Sequence, residues 1–177
     1  KQTLAIQLGM YLIATNTYIY GMFSGFIRNF KENTPPEEIT VGLLSRAQAE
    51  LGLRLYPRSQ ENFSARRHNA AFLLQGLAQV KGIRLPKIPP DVDPVFNRLP
   101  ILFEDVERLK LKQKDLWNTG FETSRMYLAP LGQMFDLGTE LGDLPNAKYV
   151  AEHLLTLPVY PALKEKQLQK ILEVIRR

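Results

Sequence analysis

Cysteine is absent from the 177-residue sequence, and histidine occurs twice. Without cysteine there is neither a disulfide framework nor a thiolate metal site, which leans the reading towards a reducing, intracellular compartment. The histidines, His68 and His153, are not paired at ligand spacing, so a zinc or iron centre would need carboxylates almost alone, and no metal site is expected. Nucleotide-binding glycine patterns are missing too: Gly21, Gly25 and Gly42 have the wrong spacing and context for a phosphate loop or a dinucleotide fingerprint. None of the five serines stands in a nucleophile elbow. Both histidines fall off the apolar faces of predicted helices, so both are expected to be exposed and structural.

A basic stripe is also lacking, although the formal net charge is +5. From Glu104 to Asp115 there are four cations and four anions, the pattern of a solvated helix face, and Arg66–Arg67 and Arg176–Arg177 are mere pairs. No nucleic-acid partner is expected from such a distribution. The stretch Gln2–Ile27 carries no charged side chain at all. It has the length of a membrane span, about 20 residues, but Gln7, Thr15, Asn16, Thr17 and Ser24 interrupt it. It reads as a helix buried against another domain or subunit. Shallow contact of residues 2–27 with a membrane surface is the alternative. The expected location is therefore cytoplasmic, with membrane association in that second case.

What is present is globular composition, 45% apolar and 23% charged. Thr34-Pro35-Pro36-Glu37 opens a helix expected to reach Leu55 with Ile39, Leu43, Ala47 and Leu51 on one face, stopped by Pro57. Ser59 is expected to cap a second helix with Phe63, Ala70, Leu73, Leu74, Leu77 and Val80 inward and Gly82 past its end. Strands are expected at Ile83–Ile88 and Val95–Phe103, with Pro100 marking an edge or a bulge. A helix at Asp105–Asn118 should bury Val106, Leu109, Leu116 and Trp117 and stop at Gly120. Phe121–Leu128 reads as a further strand, Asn146–Leu155 as a helix, Leu157–Tyr160 as a short apolar segment, and Lys164–Arg176 as a closing helix with Leu168, Ile171, Leu172 and Ile175 inward. Few strands and segregated helices make the class α+β. The organisation expected is an apolar helical segment over 1–33, connecting helices over 34–82 and a small α+β domain over 83–177.

Several segments in order then resemble the C-terminal region of the DegT/DnrJ/StrS-type sugar aminotransferases. They are Leu44-Ser45-Arg46-Ala47-Gln48-Ala49, Arg66-Arg67-His68-Asn69-Ala70, Gly82-Ile83-Arg84-Leu85-Pro86, Arg98-Leu99-Pro100, Thr123-Ser124-Arg125-Met126-Tyr127, Leu144-Pro145-Asn146-Ala147-Lys148 and Leu155-Thr156-Leu157-Pro158-Val159-Tyr160-Pro161. The resemblance implies the small C-terminal domain of a fold-type I pyridoxal-phosphate-dependent transferase, a short antiparallel sheet with helices packed on it. It implies a homodimer that transfers an amino group from a small-molecule donor to a nucleotide-linked keto sugar, for lipopolysaccharide or other cell-surface polysaccharide or for antibiotic sugars. Two places depart from the family pattern: Ile39-Thr40-Val41-Gly42-Leu43 has no Asn, and Gly120 to Tyr127 has no His.

By the same resemblance pyridoxal phosphate and its lysine belong mainly to a preceding large domain. No catalytic residue and no cofactor are expected on this chain alone. Lys110, Lys112 and Lys114, like Lys164, Lys166 and Lys170, read as solvated lysines. The substrate-binding candidates are Ser124, Arg125 and Tyr127, followed by Arg98, because a guanidinium grips a phosphate or carboxylate through paired hydrogen bonds. Against this stands a structural reading in which Arg125 pairs with Glu122 and Tyr127 packs in the core. Two functional classes stay open: a fragment of an aminotransferase, not catalytic alone, and a non-catalytic binding or scaffolding module that retains the small-domain fold.

Overall fold

The computed structural model describes residues 42–127, 129–134 and 144–177. The apolar stretch Gln2–Ile27 and the helix start at Thr34 lie outside them. The chain divides into two units, Lys1–Ser45 and Arg46–Arg177. The second unit holds all the secondary structure among the described residues.

Its first helix, α1 (Arg46–Leu55), is exposed along its whole length, including Ala47 and Leu51 of the expected apolar face. A 3-10 turn at Tyr56–Arg58 leads directly into α2 (Ser59–Leu77). Ser59 is therefore not the N-cap that the sequence predicts. The backbone is already right-handed helical at Leu55 (φ −84°) and stays so through Ser59 (φ −62°), whereas a capping hydroxyl needs extended backbone. Helix α2 buries Asn69, Ala70, Leu73 and Leu77, and leaves Phe63 at the surface.

Three antiparallel strands follow in the order β1 (Ile83–Arg84), β2 (Arg98–Phe103) and β3 (Leu154–Pro158). Strand β2 alternates as expected, with Leu99, Ile101 and Phe103 buried, though it begins at Arg98 and leaves Val95 exposed. It is the central strand despite Pro100. Pro100 is tolerated because its partner Thr156 exchanges its own backbone hydrogen bonds with Ser124 on the opposite side (Thr156 N–H to Ser124 O, 2.8 Å). Pro100 and Thr156 thus form a non-hydrogen-bonded pair, and the missing N–H points to where β1, paired only with residues 102 and 103, has ended.

Helix α3 (Val106–Asn118) starts where Asp105 Oδ1 accepts the Glu107 N–H at 2.9 Å. It ends in a Schellman motif: Phe121 N–H reaches Leu116 O and Gly120 N–H reaches Trp117 O, both at 2.9 Å, with Gly120 at φ +87°. Only glycine adopts that φ cheaply. Leu109 and Leu116 are buried as expected, but Trp117 is 39% exposed, and the third buried residue of this face is Lys112, 5% exposed. Lys112 is therefore not a fully solvated lysine. Its position three residues after Leu109 and four before Leu116 places the aliphatic stem on the packed face, the usual way a long cation lies along apolar surface.

The remaining elements are α4 (Leu131–Met134), α5 (Pro145–His153) and α6 (Glu165–Arg176). Helix α6 buries Leu168, Ile171, Leu172 and Ile175, the four predicted residues, together with Val174. It packs on α2 and α3. One core joins α2, β2, β3, α3 and α6, so the helix over 59–77 shares its packing with the sheet that follows. The architecture is α+β.

Candidate functional site

Strand β3 is buried at every position, and its one polar residue is Thr156. That hydroxyl organises the candidate site. Thr156 Oγ1 donates to Ser124 O at 2.8 Å and accepts from Arg98 Nε at 3.0 Å. Arg98 Nη2 donates to Glu122 O at 2.6 Å. Three of the four sequence candidates are thereby gathered along β3: Arg98 from β2, and Ser124 and Arg125 from the segment that crosses the sheet's outer edge. Among its described residues, that segment, read from the sequence as a strand over Phe121–Leu128, makes one bridge to the sheet, Ser124 to Thr156.

It departs from strand geometry because the chain turns immediately afterwards. Met126 has φ +55°, Ser124 Oγ accepts the Met126 N–H at 3.0 Å, and Tyr127 N–H bonds back to Arg125 O at 2.6 Å. A non-glycine residue held there stores on the order of 1–3 kcal/mol of backbone strain, and strain of that kind concentrates at functional sites. The turn brings Tyr127 to the surface, 57% exposed, so it does not pack in the core.

Arg125 does not pair with Glu122. Its Nη2 donates to the carbonyls of Ala151 (3.0 Å) and Glu152 (3.2 Å) in the last turn of α5, where a cation complements the helix dipole. Its Nε is buried without a partner among the described residues, as is the hydroxyl of Thr123. Two orphaned polar atoms beside a strained turn are costly unless something else satisfies them.

His153, expected at the surface, is half-buried. Its Nδ1 lies 2.6 Å from Phe103 O, and because a carbonyl only accepts, Nδ1 carries the proton. The ring stacks on Tyr149 at 4.0 Å, and the Arg84 guanidinium lies over Tyr149 at 4.8 Å. His68 is exposed. Neighbouring Asn69 is not: its Nδ2 donates to Tyr160 O at 3.0 Å and Val159 O at 3.4 Å, and Arg66 Nη1 donates to Asn97 O at 2.8 Å. Two of the quoted motifs, around Asn69 and around Val159-Tyr160, are thus bonded to each other.

Sequence reasoning overlooked Thr156 and Thr123. Thr156 carried a signal, a hydroxyl at the centre of an otherwise apolar strand. Thr156→Val keeps the shape and removes the hydroxyl, leaving Arg98 Nε without its acceptor. The expected loss is about 1–3 kcal/mol, read as a lower urea midpoint, with faster amide exchange at Ser124 than at Leu155. Unchanged exchange at Ser124 would show that the backbone bridge alone holds the segment.

The family model for the DegT/DnrJ/EryC1/StrS aminotransferase family matches residues 32–176. A curated relative, dTDP-3-amino-3,4,6-trideoxy-alpha-D-glucose transaminase from Streptomyces venezuelae, is 30% identical over 157 residues, which is 85% of this chain and 40% of that protein. Among solved structures, the aminotransferase TlmJ from Streptoalloteichus hindustanus is similar at TM-score 0.66 and 27% identity, covering 79% of this chain and 39% of that one. DesV from S. venezuelae, solved in complex with a ketimine intermediate, is similar at TM-score 0.68 and 26% identity, covering 89% and 43%. The chain spans about two fifths of the length of the curated relative it matches. These neighbours share the fold-type I architecture, and the chain belongs to the DegT/DnrJ/EryC1/StrS aminotransferase family.

Proposed function

We propose that this chain is the C-terminal part of a pyridoxal-phosphate-dependent aminotransferase acting on a nucleotide-linked keto sugar. The observation that carries this reading is the 30% identity, over 85% of the chain, to a transaminase named for a dTDP-linked amino sugar. In it, residues 83–177 are the small domain and 34–82 the connection to a large one, and the working protein is a cytoplasmic homodimer. Its product serves cell-surface polysaccharide, lipopolysaccharide included.

The cofactor does not fit the residues at hand. Pyridoxal phosphate needs an enclosed lysine, an acid facing the pyridine nitrogen and a phosphate cup. Every described lysine but Lys112 is exposed, and Lys112 lies against the core beside Leu109 and Leu116. No step of the chemistry is therefore assigned to this chain. Its part is to present a wall to the substrate: Ser124, Arg125 and Tyr127 on the strained turn, with Arg98 locked beneath them. Arg98 and Arg125 each spend part of the guanidinium on backbone carbonyls. What remains of each fork is pre-positioned for a phosphate or carboxylate.

The test is reductive trapping. Borohydride treatment of the cofactor-loaded full-length protein, followed by digestion and peptide mapping, should place the label on a lysine outside residues 1–177. The same protein should transfer an amino group to a nucleotide-linked keto sugar. A label on Lys112, or on any lysine of this chain, overturns the assignment. A full-length protein that takes up no cofactor instead supports a non-catalytic module that keeps the small-domain fold.

A further inference from the structure

Away from the sheet edge, the end of α2 and the last turn of α6 border an open cleft of about 530 Å3, lined among others by Gln75, Gln79, Lys81, Arg108 and Arg176. A volume of that order suits a small molecule. Among the described residues, none of its three cations forms an ion pair: the pairs present are Arg46–Glu50, Arg67–Asp93 and Lys110–Glu107. Glu104, whose carboxylate approaches Gly82 beside Arg108, does not pair with Arg108 either.

The two guanidiniums are held in place through backbone carbonyls. Arg108 Nη1 donates to Lys81 O at 2.6 Å, and Arg176 donates to Gly76 O through Nε at 3.2 Å and Nη2 at 2.7 Å. This matters for sign. A helix C-terminus exposes carbonyl oxygens that repel anions, but here the guanidiniums cover the Gly76 and Lys81 carbonyls while keeping further N–H groups free. Gln75 in the last turn of α2 and Gln79 just past its end add two carboxamides. The cleft thus offers donors and positive charge, with no carboxylate in its lining among the described residues.

We propose that this cleft is a binding site for a phosphate-bearing small molecule, distinct from the Ser124–Tyr127 turn. Guanidinium forks match phosphate oxygens bidentately, Lys81 supplies a mobile point charge, and mutual repulsion of the three cations is relieved by a polyanion. A diphosphate, with more negative charge and a longer reach than orthophosphate, engages both guanidiniums.

Titration calorimetry of the full-length protein at 0.15 M salt tests this, with inorganic pyrophosphate, orthophosphate, ADP and, at matched ionic strength, citrate. Pyrophosphate should bind saturably and more tightly than orthophosphate or citrate. Lys81→Glu and Arg108→Gln should each weaken it at least tenfold without changing cofactor content or aminotransferase activity. The Lys81 side chain is exposed and makes no ion pair or hydrogen bond among the described residues, so Lys81→Glu remains informative if Arg108→Gln perturbs folding. ADP tighter than pyrophosphate, and lost with Lys81→Glu, makes a nucleotide the source of the phosphate, whereas equal affinity makes it free phosphate. Pyrophosphate binding that Lys81→Glu leaves intact, or citrate binding as tightly as pyrophosphate, overturns the proposal.

Discussion

Phe103→Ala is expected to lower the unfolding free energy by about 3–5 kcal/mol, the usual cost of truncating a buried aromatic side chain. Phe103 is fully buried at the end of the central strand, opposite Ile83 of β1, and belongs to the core shared by α2, β3, α3 and α6. Its backbone carbonyl also receives the His153 ring, so a shift of the strand end would reach α5 as well. Domains of this size have about 5–15 kcal/mol in total, so the substitution removes from about a fifth of that margin to all of it. Urea unfolding should show a much lower midpoint with an unchanged slope. Leu111→Ala serves as the control: that side chain is 54% exposed, and its loss should stay within about 0.5 kcal/mol. Equal effects at the two positions would mean that the core is not packed as described.

The elements that were legible in the sequence are those specified by neighbours in the chain. The inward face of α6, the Leu99, Ile101, Phe103 alternation and both ends of α3 follow from helical or strand period and from Asp105 and Gly120 at the caps. Ser59 failed as a cap because Tyr56–Arg58 had already begun to turn, although α1 does end at Leu55, just ahead of Pro57, as expected. Lys112 was misplaced because charge outweighed period, although the spacing Leu109, Lys112, Leu116 put it on the buried face.

Much of the candidate site lay beyond such signals. Arg98 and Ser124 meet only through Thr156, over separations of 58 and 32 residues, and no local pattern encodes that meeting. The left-handed Met126 is equally silent, since methionine is not a residue that announces a turn. What did identify the region was the order of motif-like segments, and the structure supplies a physical reason for two of them: Asn69 binds the carbonyls of Val159 and Tyr160.

Gly76→Val is expected to destabilise the fold by about 3 kcal/mol, the upper end of the range for forcing extra carbons into a packed interior. The sign is not obvious, because glycine inside a helix costs about 1 kcal/mol relative to alanine, so propensity alone favours replacement. Packing decides against it. A Cβ at Gly76 would overlap both methyl groups of Leu172 and press on its Cγ, and Leu172, on α6, is buried in the shared core. Helix α2 approaches α6 so closely because this position has no side chain. Gly76→Ala, with one carbon added and the propensity gain retained, should fall between roughly zero and 2 kcal/mol of loss. The order of the two variants is therefore the discriminating result: propensity alone makes both at least as stable as the parent, while close approach makes valine clearly worse than alanine. Leu172→Ala in the Gly76→Val background should recover part of the loss, since it vacates the space the new methyls need, and a non-additive double-mutant cycle in denaturant would locate the clash at this one contact. Strict additivity would place the damage elsewhere on α2.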